Sequence, residues 1–392
     1  MRSGIFEIGP RLTPPGSACS DWGWSFCLIE TELVKADGLL ASVSRKLRLV
    51  QAVRPLNEAE QKALFLRGEV VEPDFVYSRP PTTDTSEIRK LRLPDSSWGK
   101  LLEAVRRRLL RLNSLFEEPG PINVRDFSRE VYGAPNQQLQ AVARNLLARI
   151  EVEPRPEVSF EFTREILEKA LADYGLDGWK VKRADGDFTA ARAVEKTVYL
   201  TGMGGLYEGT AERLAVHEVG VHAVRAYNGA GQDLSHFSLG WPGYEQAEEG
   251  LAVYAELHTG TISQRALLNY SARVLAVASL DKGLTFRGCY EFLRDLNLTE
   301  VQAWEATLRA YRGHGFFKDH IYLQGLLDVF AFMKNGGKWE SLFVGKVGLE
   351  HLGLVDRALN RGVLRPPRVI PGFFQCPPVR GKVWKLIEGL VD

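Results

Sequence analysis

The stretch His217-Glu218-Val219-Gly220-Val221-His222 decides how this chain is read. Two imidazoles stand five positions apart, with a carboxylate beside the first. Further on, Glu248-Glu249-Gly250-Leu251-Ala252 adds two more carboxylates. Together they offer what a zinc hydrolase needs: three protein ligands, an open position for water and a base beside that water. The familiar zinc-peptidase motif spaces its histidines four apart, so the extra residue has to be explained.

Residues four apart on an α-helix lie about 40° apart around the axis, and residues five apart about 140°. A regular helix would therefore aim His217 and His222 to different sides. A π-bulge lowers the angular step and brings them back together, and such bulges are frequent at functional sites. Gly220 sits within the interval and accepts the distortion at low steric cost. Glu218 is then the expected general base, taking a proton from metal-bound water. Glu249 is the expected third ligand, with Glu248 as the alternative. Gly250 beside it lets another backbone come close. Glu256, seven positions after Glu249 and on nearly the same helical face, is expected to back a ligand histidine.

Outward from the motif, the pattern is α+β and mostly α-helical, with a small β-sheet preceding the metal-binding helix and an N-terminal helical region. Three β-like runs are expected at 179–183, 188–194 and 197–201, separated by Asp185-Gly186-Asp187 and Glu195-Lys196. Gly202-Met203-Gly204-Gly205 reads as a hinge into the metal helix. Apolar residues at helical spacing mark helices at 31–48, 98–115, 137–150 and 163–174, and the chain beyond 245 is almost wholly helical. Asn57 looks like the N-cap of a helix ending near Gly68. Glu153-Pro154-Arg155-Pro156 is the best boundary. It divides a mainly helical region, 1–155, from a domain carrying the metal motif, 156–392.

Composition narrows the function classes. The 392 residues are 45% hydrophobic and 25% charged, which is ordinary for a soluble globular chain. A net charge of +1 provides no global field for nucleic acid or an anionic membrane. No apolar run is long enough to span a bilayer. Glu7 and Pro10 interrupt any leader-like start. Cys19, Cys27, Cys289 and Cys376 are scattered and form no CxxC pair, so they read as reduced thiols of a cytoplasmic protein. Nothing in the chain sets an oligomeric state.

The motif pair resembles one known family. His217-Glu218-x-Gly220-x-His222-x-x-Arg225-Ala226-x-Asn228-Gly229, with Glu248-Glu249-Gly250-Leu251-Ala252 after it, is similar to the HExxxH and [EQ]EGLA segments of the tyrosine carboxypeptidase-like metallopeptidases. Glu72-Pro73-Asp74-Phe75-Val76-Tyr77 resembles that family's Asn-Pro-x-Phe-x-Tyr segment, with Glu in place of Asn. Lys318-Asp319-His320-Ile321-Tyr322-Leu323-Gln324-Gly325 resembles its Lys-Asp-x-x-Tyr-Leu-x-Gly segment. The resemblance covers roughly residues 55–335. It implies a zinc peptidase acting at the carboxyl termini of peptides or proteins, with one Zn²⁺ held by His217, His222 and Glu249, and Glu218 as base. The family's animal members act on tubulin; nothing in this chain points there.

A carboxypeptidase needs a cation for the substrate's terminal carboxylate, which an arginine fork binds well. Arg225, Arg312 and Lys318 are the candidates. Tyr322 is a candidate donor to a developing oxyanion. His314 and His320 are expected to make ordinary core or solvent contacts, and Trp241-Pro242-Gly243-Tyr244, between the two ligand helices, to wall the pocket. Two other readings compete: a metal-bearing regulatory or scaffold protein without turnover, and a zinc hydrolase of a non-peptide amide. The intact Glu218 argues against a scaffold, which has no need of a base beside its metal.

Overall fold

The computed structural model describes residues 30–391, apart from 153, 185–190 and 202–205. The expected hinge at Gly202-Met203-Gly204-Gly205, the Asp185-Gly186-Asp187 turn, Cys19, Cys27 and the leader-like start lie outside the described residues. The architecture is α+β and mostly helical. Its one sheet among the described residues has three strands: β1 (Lys180–Ala184), β2 (Ala191–Val194) and β3 (Thr197–Thr201), in the order β1-β3-β2. β3 lies in the centre, parallel to β1 and antiparallel to β2. Its Val198 and Leu200 are fully buried, as the strand period of two requires when one face meets a core. Glu195 and Lys196 join β2 to β3 with φ of 47° and 58°. Paired left-handed residues match the twist of a tight hairpin.

The described helices divide between two compact units. One takes in Val152–Ser263 and Gly325–Asp392, the other Thr31–Glu151 and Gln264–Gln324. The chain thus changes unit near the proline-rich boundary and then twice more.

In the first unit the chain passes from the sheet through a short helix, Thr210–Leu214, into a π-helix, Ala215–Ala223, and on into Val224–Gly229. A buried helix, Tyr244–Thr259, packs against the π-helix. Gly250 on this helix lies against Gly325: a Cβ built on Gly250 would stand 2.2 Å from the Gly325 carbonyl carbon. Only glycine permits two backbones to approach so closely, as expected for Gly250.

In the second unit the long helix Ser97–Glu117 buries Leu102, Val105, Leu109, Leu112 and Phe116 on one face. Its first turn is capped by Ser96, which accepts from the Gly99 amide. Gln137–Arg149 packs on Gln264–Asp281, so a segment distant in sequence completes this core. Asn57 stands before the helix Glu58–Leu66 but makes no capping bond. Its amide instead bonds the Asp74 carbonyl and the Val76 amide, each at 2.9 Å, and holds the extended segment in place. Glu72, where the resembled motif has Asn, accepts from the Phe286 amide at 3.0 Å and so caps the helix Phe286–Asp295. No described helix is long and apolar enough to cross a membrane.

Candidate metal centre

The five-residue spacing is accommodated by the π-helix. It runs for nine residues, broader than a single bulged turn, and places both histidines on the side facing Tyr244–Thr259. The two rings lie 4.8 Å apart, steeply inclined at 78°. Gly220 contributes room: a Cβ there would stand 3.1 Å from the Phe373 ring. Its φ is not positive, so what glycine supplies is space for the packed ring more than backbone freedom.

Each histidine has one nitrogen tied and the other turned inward. His217 donates from Nδ1 to Glu256 Oε1 at 2.7 Å, and His222 from Nδ1 to Glu248 Oε1 at 2.9 Å. This leaves the two Nε2 atoms 3.9 Å and 3.6 Å from Glu249 Oε2. Tetrahedral zinc with bonds of about 2.1 Å separates its ligand atoms by roughly 3.4 Å. Both separations from Glu249 Oε2 therefore stand near the spacing such an ion requires. His217, Glu218 and His222 form a group whose ligand atoms all lie within 4.8 Å of one another. Glu218 is 5% exposed, and its Oε2 is buried without a hydrogen-bond partner. An orphaned carboxylate oxygen beside two imidazoles fits both a cation site and a waiting base.

The supporting carboxylates are held in turn. Glu256 accepts from Arg213 at 2.9 Å. Glu248 pairs with Arg225 through Oε2 and lies 3.2 Å from Lys346 through Oε1. Burial opposes the charge on Glu248, but Lys346, Arg225 and His222 outweigh it and hold the carboxyl well below its usual range. Burial likewise opposes ionisation of Glu256, and Arg213 with His217 lowers it. Burial disfavours a charged His222, yet bonds from Glu248 and Glu249 push its pKa up to about 10. Four carboxylates stand around the two imidazoles, and Arg213, Arg225 and Lys346 balance two of them, which leaves Glu218 and Glu249 to favour a cation.

Arg225 is held by the protein on every side of its guanidinium. It is fully buried, with Nε bonded to the Leu342 and Gly345 carbonyls, Nη2 to Val347 and Nη1 to Glu248. Its fork is spent on the protein, where it anchors Glu248. Trp241 is also fully buried, 5.5 Å from the Phe237 ring, in the core of the first unit. Arg312, Lys318 and Tyr322 belong to the second unit. There Arg312 pairs with Asp319 at 3.4 Å, and Tyr322 stacks on Tyr270 at 5.2 Å. His314 and His320 each donate to a backbone carbonyl, of Ile122 and Phe317.

Two supporting residues escaped the sequence reading. Arg213 stands four before His217 and shares its helical face, so spacing could have found it. Lys346 is remote in sequence, and no local signal marks it.

Comparisons with known proteins follow from this geometry. No curated protein matches the chain. Among solved structures, one described as "putative lipoprotein from Colwellia psychrerythraea" is 12% identical, with a TM-score of 0.37. The match covers 78% of this chain and 61% of that one. The family MATCAP, microtubule-associated tyrosine carboxypeptidase, matches residues 77–387, which take in the π-helix, all four clustered glutamates and the Lys318-Asp319 segment. On that match the chain belongs to the MATCAP family, whose activity is of the carboxypeptidase type.

Proposed function

We propose that this protein is a zinc-dependent metallopeptidase, a carboxypeptidase that removes a residue from the C-terminus of a peptide or protein in a reducing, cytoplasmic setting. The observation that carries this reading is the convergence of His217 Nε2, His222 Nε2 and Glu249 Oε2 while both Nδ1 atoms are occupied. In this assignment those three groups hold the metal. When bound, zinc acidifies a water and polarises the scissile carbonyl.

The chain's own residues do the rest. Glu256 and Glu248 accept from the Nδ1–H groups, which fixes the tautomer and keeps each Nε2 lone pair directed at the centre. Glu248 is the supporting carboxylate in this reading, because His222, Arg225 and Lys346 already occupy it. Glu218 takes the proton from the attacking water and returns it to the leaving amine.

Protein purified without added metal should contain about one zinc per chain. Glu218→Gln should keep that metal and lose at least about 10²-fold in turnover. Retained hydrolysis would remove the base. Products from a peptide library, read by mass spectrometry, should each lack C-terminal residues. Internal cuts would defeat the carboxypeptidase reading, and hydrolysis only of non-peptide amides would replace the substrate class.

A further inference from the structure

The first unit braces its π-helix with a segment from the C-terminal region. Gly220 stands two residues before His222, roughly half a turn away around the axis. A Cβ built there would lie 3.1 and 3.4 Å from Cε1 and Cζ of Phe373, and 3.5 Å from the Tyr174 hydroxyl. The far edge of the Phe373 ring thus occupies the flank of the helix turned away from His222. The segment bearing this ring is fastened on both sides. Asn228, in the helix that continues the π-helix, donates to the Val369 carbonyl at 2.7 Å and accepts from the Arg368 and Val369 amides at 3.0 Å. His258 Nε2 donates to the Phe373 and Cys376 carbonyls at 3.0 and 2.9 Å, and the His258 carbonyl accepts from the Val379 amide at 2.8 Å. His258 lies on Tyr244–Thr259, the helix that carries Glu248, Glu249 and Glu256. Phe374 adds an anchor, stacked on Trp339 and Tyr254 at 5.4 and 6.3 Å.

π-helices are rare and mostly limited to single turns, so a run of nine residues needs outside support. The carboxylates bonded to Nδ1 supply part of it from the histidine side. Packing supplies the rest, because a close-packed interior transmits a displacement instead of absorbing it. A flat aromatic ring has few ways to give, and this one is tied by its own backbone carbonyl to the neighbouring glutamate-bearing helix. A change at the Gly220–Phe373 contact therefore moves the π-helix relative to Tyr244–Thr259, and with it the imidazoles relative to Glu249.

We propose that Phe373 is a positioning residue for the imidazole pair: its ring, seated where a side chain at 220 would stand, sets the course of the π-helix and thereby the placement of His217 and His222 toward Glu249. Only the use of that placement for a metal rests on the peptidase reading; the packing stands without it.

The test uses the full chain and three variants: Gly220→Ala, Phe373→Leu and the two combined. The methyl added by Gly220→Ala meets the ring, whereas leucine ends at Cδ and lacks both ring atoms that the methyl would touch. Without metal, isotope-labelled histidine reports by NMR on the Nδ1–H protons bonded to Glu256 and Glu248. With Co²⁺ as the probe metal, visible absorption reads the ligand geometry and chelator competition reads the affinity. Gly220→Ala is expected to shift the Nδ1–H resonances, alter the cobalt spectrum and weaken metal binding by at least about tenfold, the effect of losing support behind ligand histidines. Phe373→Leu should change the same signals to a smaller degree. In the combined variant the resonances, the spectrum and most of the affinity should return. A merely structural contact would lower the melting temperature and leave resonances and spectrum unchanged, and that outcome overturns the proposal. So does a combined variant no better than Gly220→Ala. If Gly220→Ala fails to fold, Phe373→Leu decides by the same signals, and unchanged resonances and cobalt spectrum overturn the proposal. A parent that takes up neither Co²⁺ nor Zn²⁺, while the variants still shift and restore the Nδ1–H resonances, would sink the metal reading and leave Phe373 in its role.

Discussion

Both units bury arginine against a single carboxylate, but they use the pairing differently. In the first, Glu248 stands between Arg225 and His222, so one oxygen anchors the carboxylate and the other orients an imidazole. In the second, Asp319 accepts from Arg309 and Arg312. The first cluster spends its positive charge on fixing a geometry. The second gathers two guanidinium groups on one carboxylate. An arginine–carboxylate pair is therefore not a function in itself; what matters is where the remaining valences point.

The largest effect should come from breaking the second pairing. Asp319→Asn strands two buried guanidinium groups and should cost about 3–5 kcal/mol of unfolding free energy, measured by denaturant titration. The same group sets an acid limit. Burial opposes its charge, but Arg309, Arg312 and Arg273 hold its carboxyl below the usual range. A depressed folded pKa gives stability that is complete above the unfolded value of about 3.9 and is lost as pH falls through the folded one. Asp319→Asn should therefore flatten the loss of stability below about pH 4; an unchanged acid profile would show that Asp319 is not the group responsible.

Glu248→Gln tests the first pairing and should act on metal more than on folding. Zinc affinity should fall about 10- to 100-fold in a chelator competition, since the residue behind a ligand histidine sets its orientation and basicity. If affinity stays constant while stability alone drops, the carboxylate is only a partner for Arg225. The smallest effect is expected from Lys346→Ala. Arg225 still neutralises Glu248, so the loss should stay within about 1 kcal/mol by thermal unfolding. A larger loss would make Lys346 an equal member of the cluster.

How much of this was legible in the sequence follows the range of each interaction. The wide turn is written in the spacing of His217 and His222, because helical geometry leaves few other ways to bring them together. Glu256 could be found by counting along one helix, and the close approach at Gly250 by its lack of a side chain. The roles of Asn57 and Arg225 were not legible. Asn57 has the residue type of a cap, yet its partners lie in the segment 74–76. Arg225 has the type of a carboxylate binder, yet its acceptors lie at 342–347.

By itself, then, the sequence determined the chemistry on offer: two imidazoles that must share a side, a carboxylate beside them, and a helix bringing more. These are consequences of local periodicity, which every residue carries with it. Only the tertiary structure decided which carboxylate faces Nε2 and which faces Nδ1, and which arginine is consumed within the protein. Charge and hydrogen-bond capacity belong to a residue type, but their satisfaction depends on partners well outside the local helix or turn, and for Arg225 more than a hundred residues away.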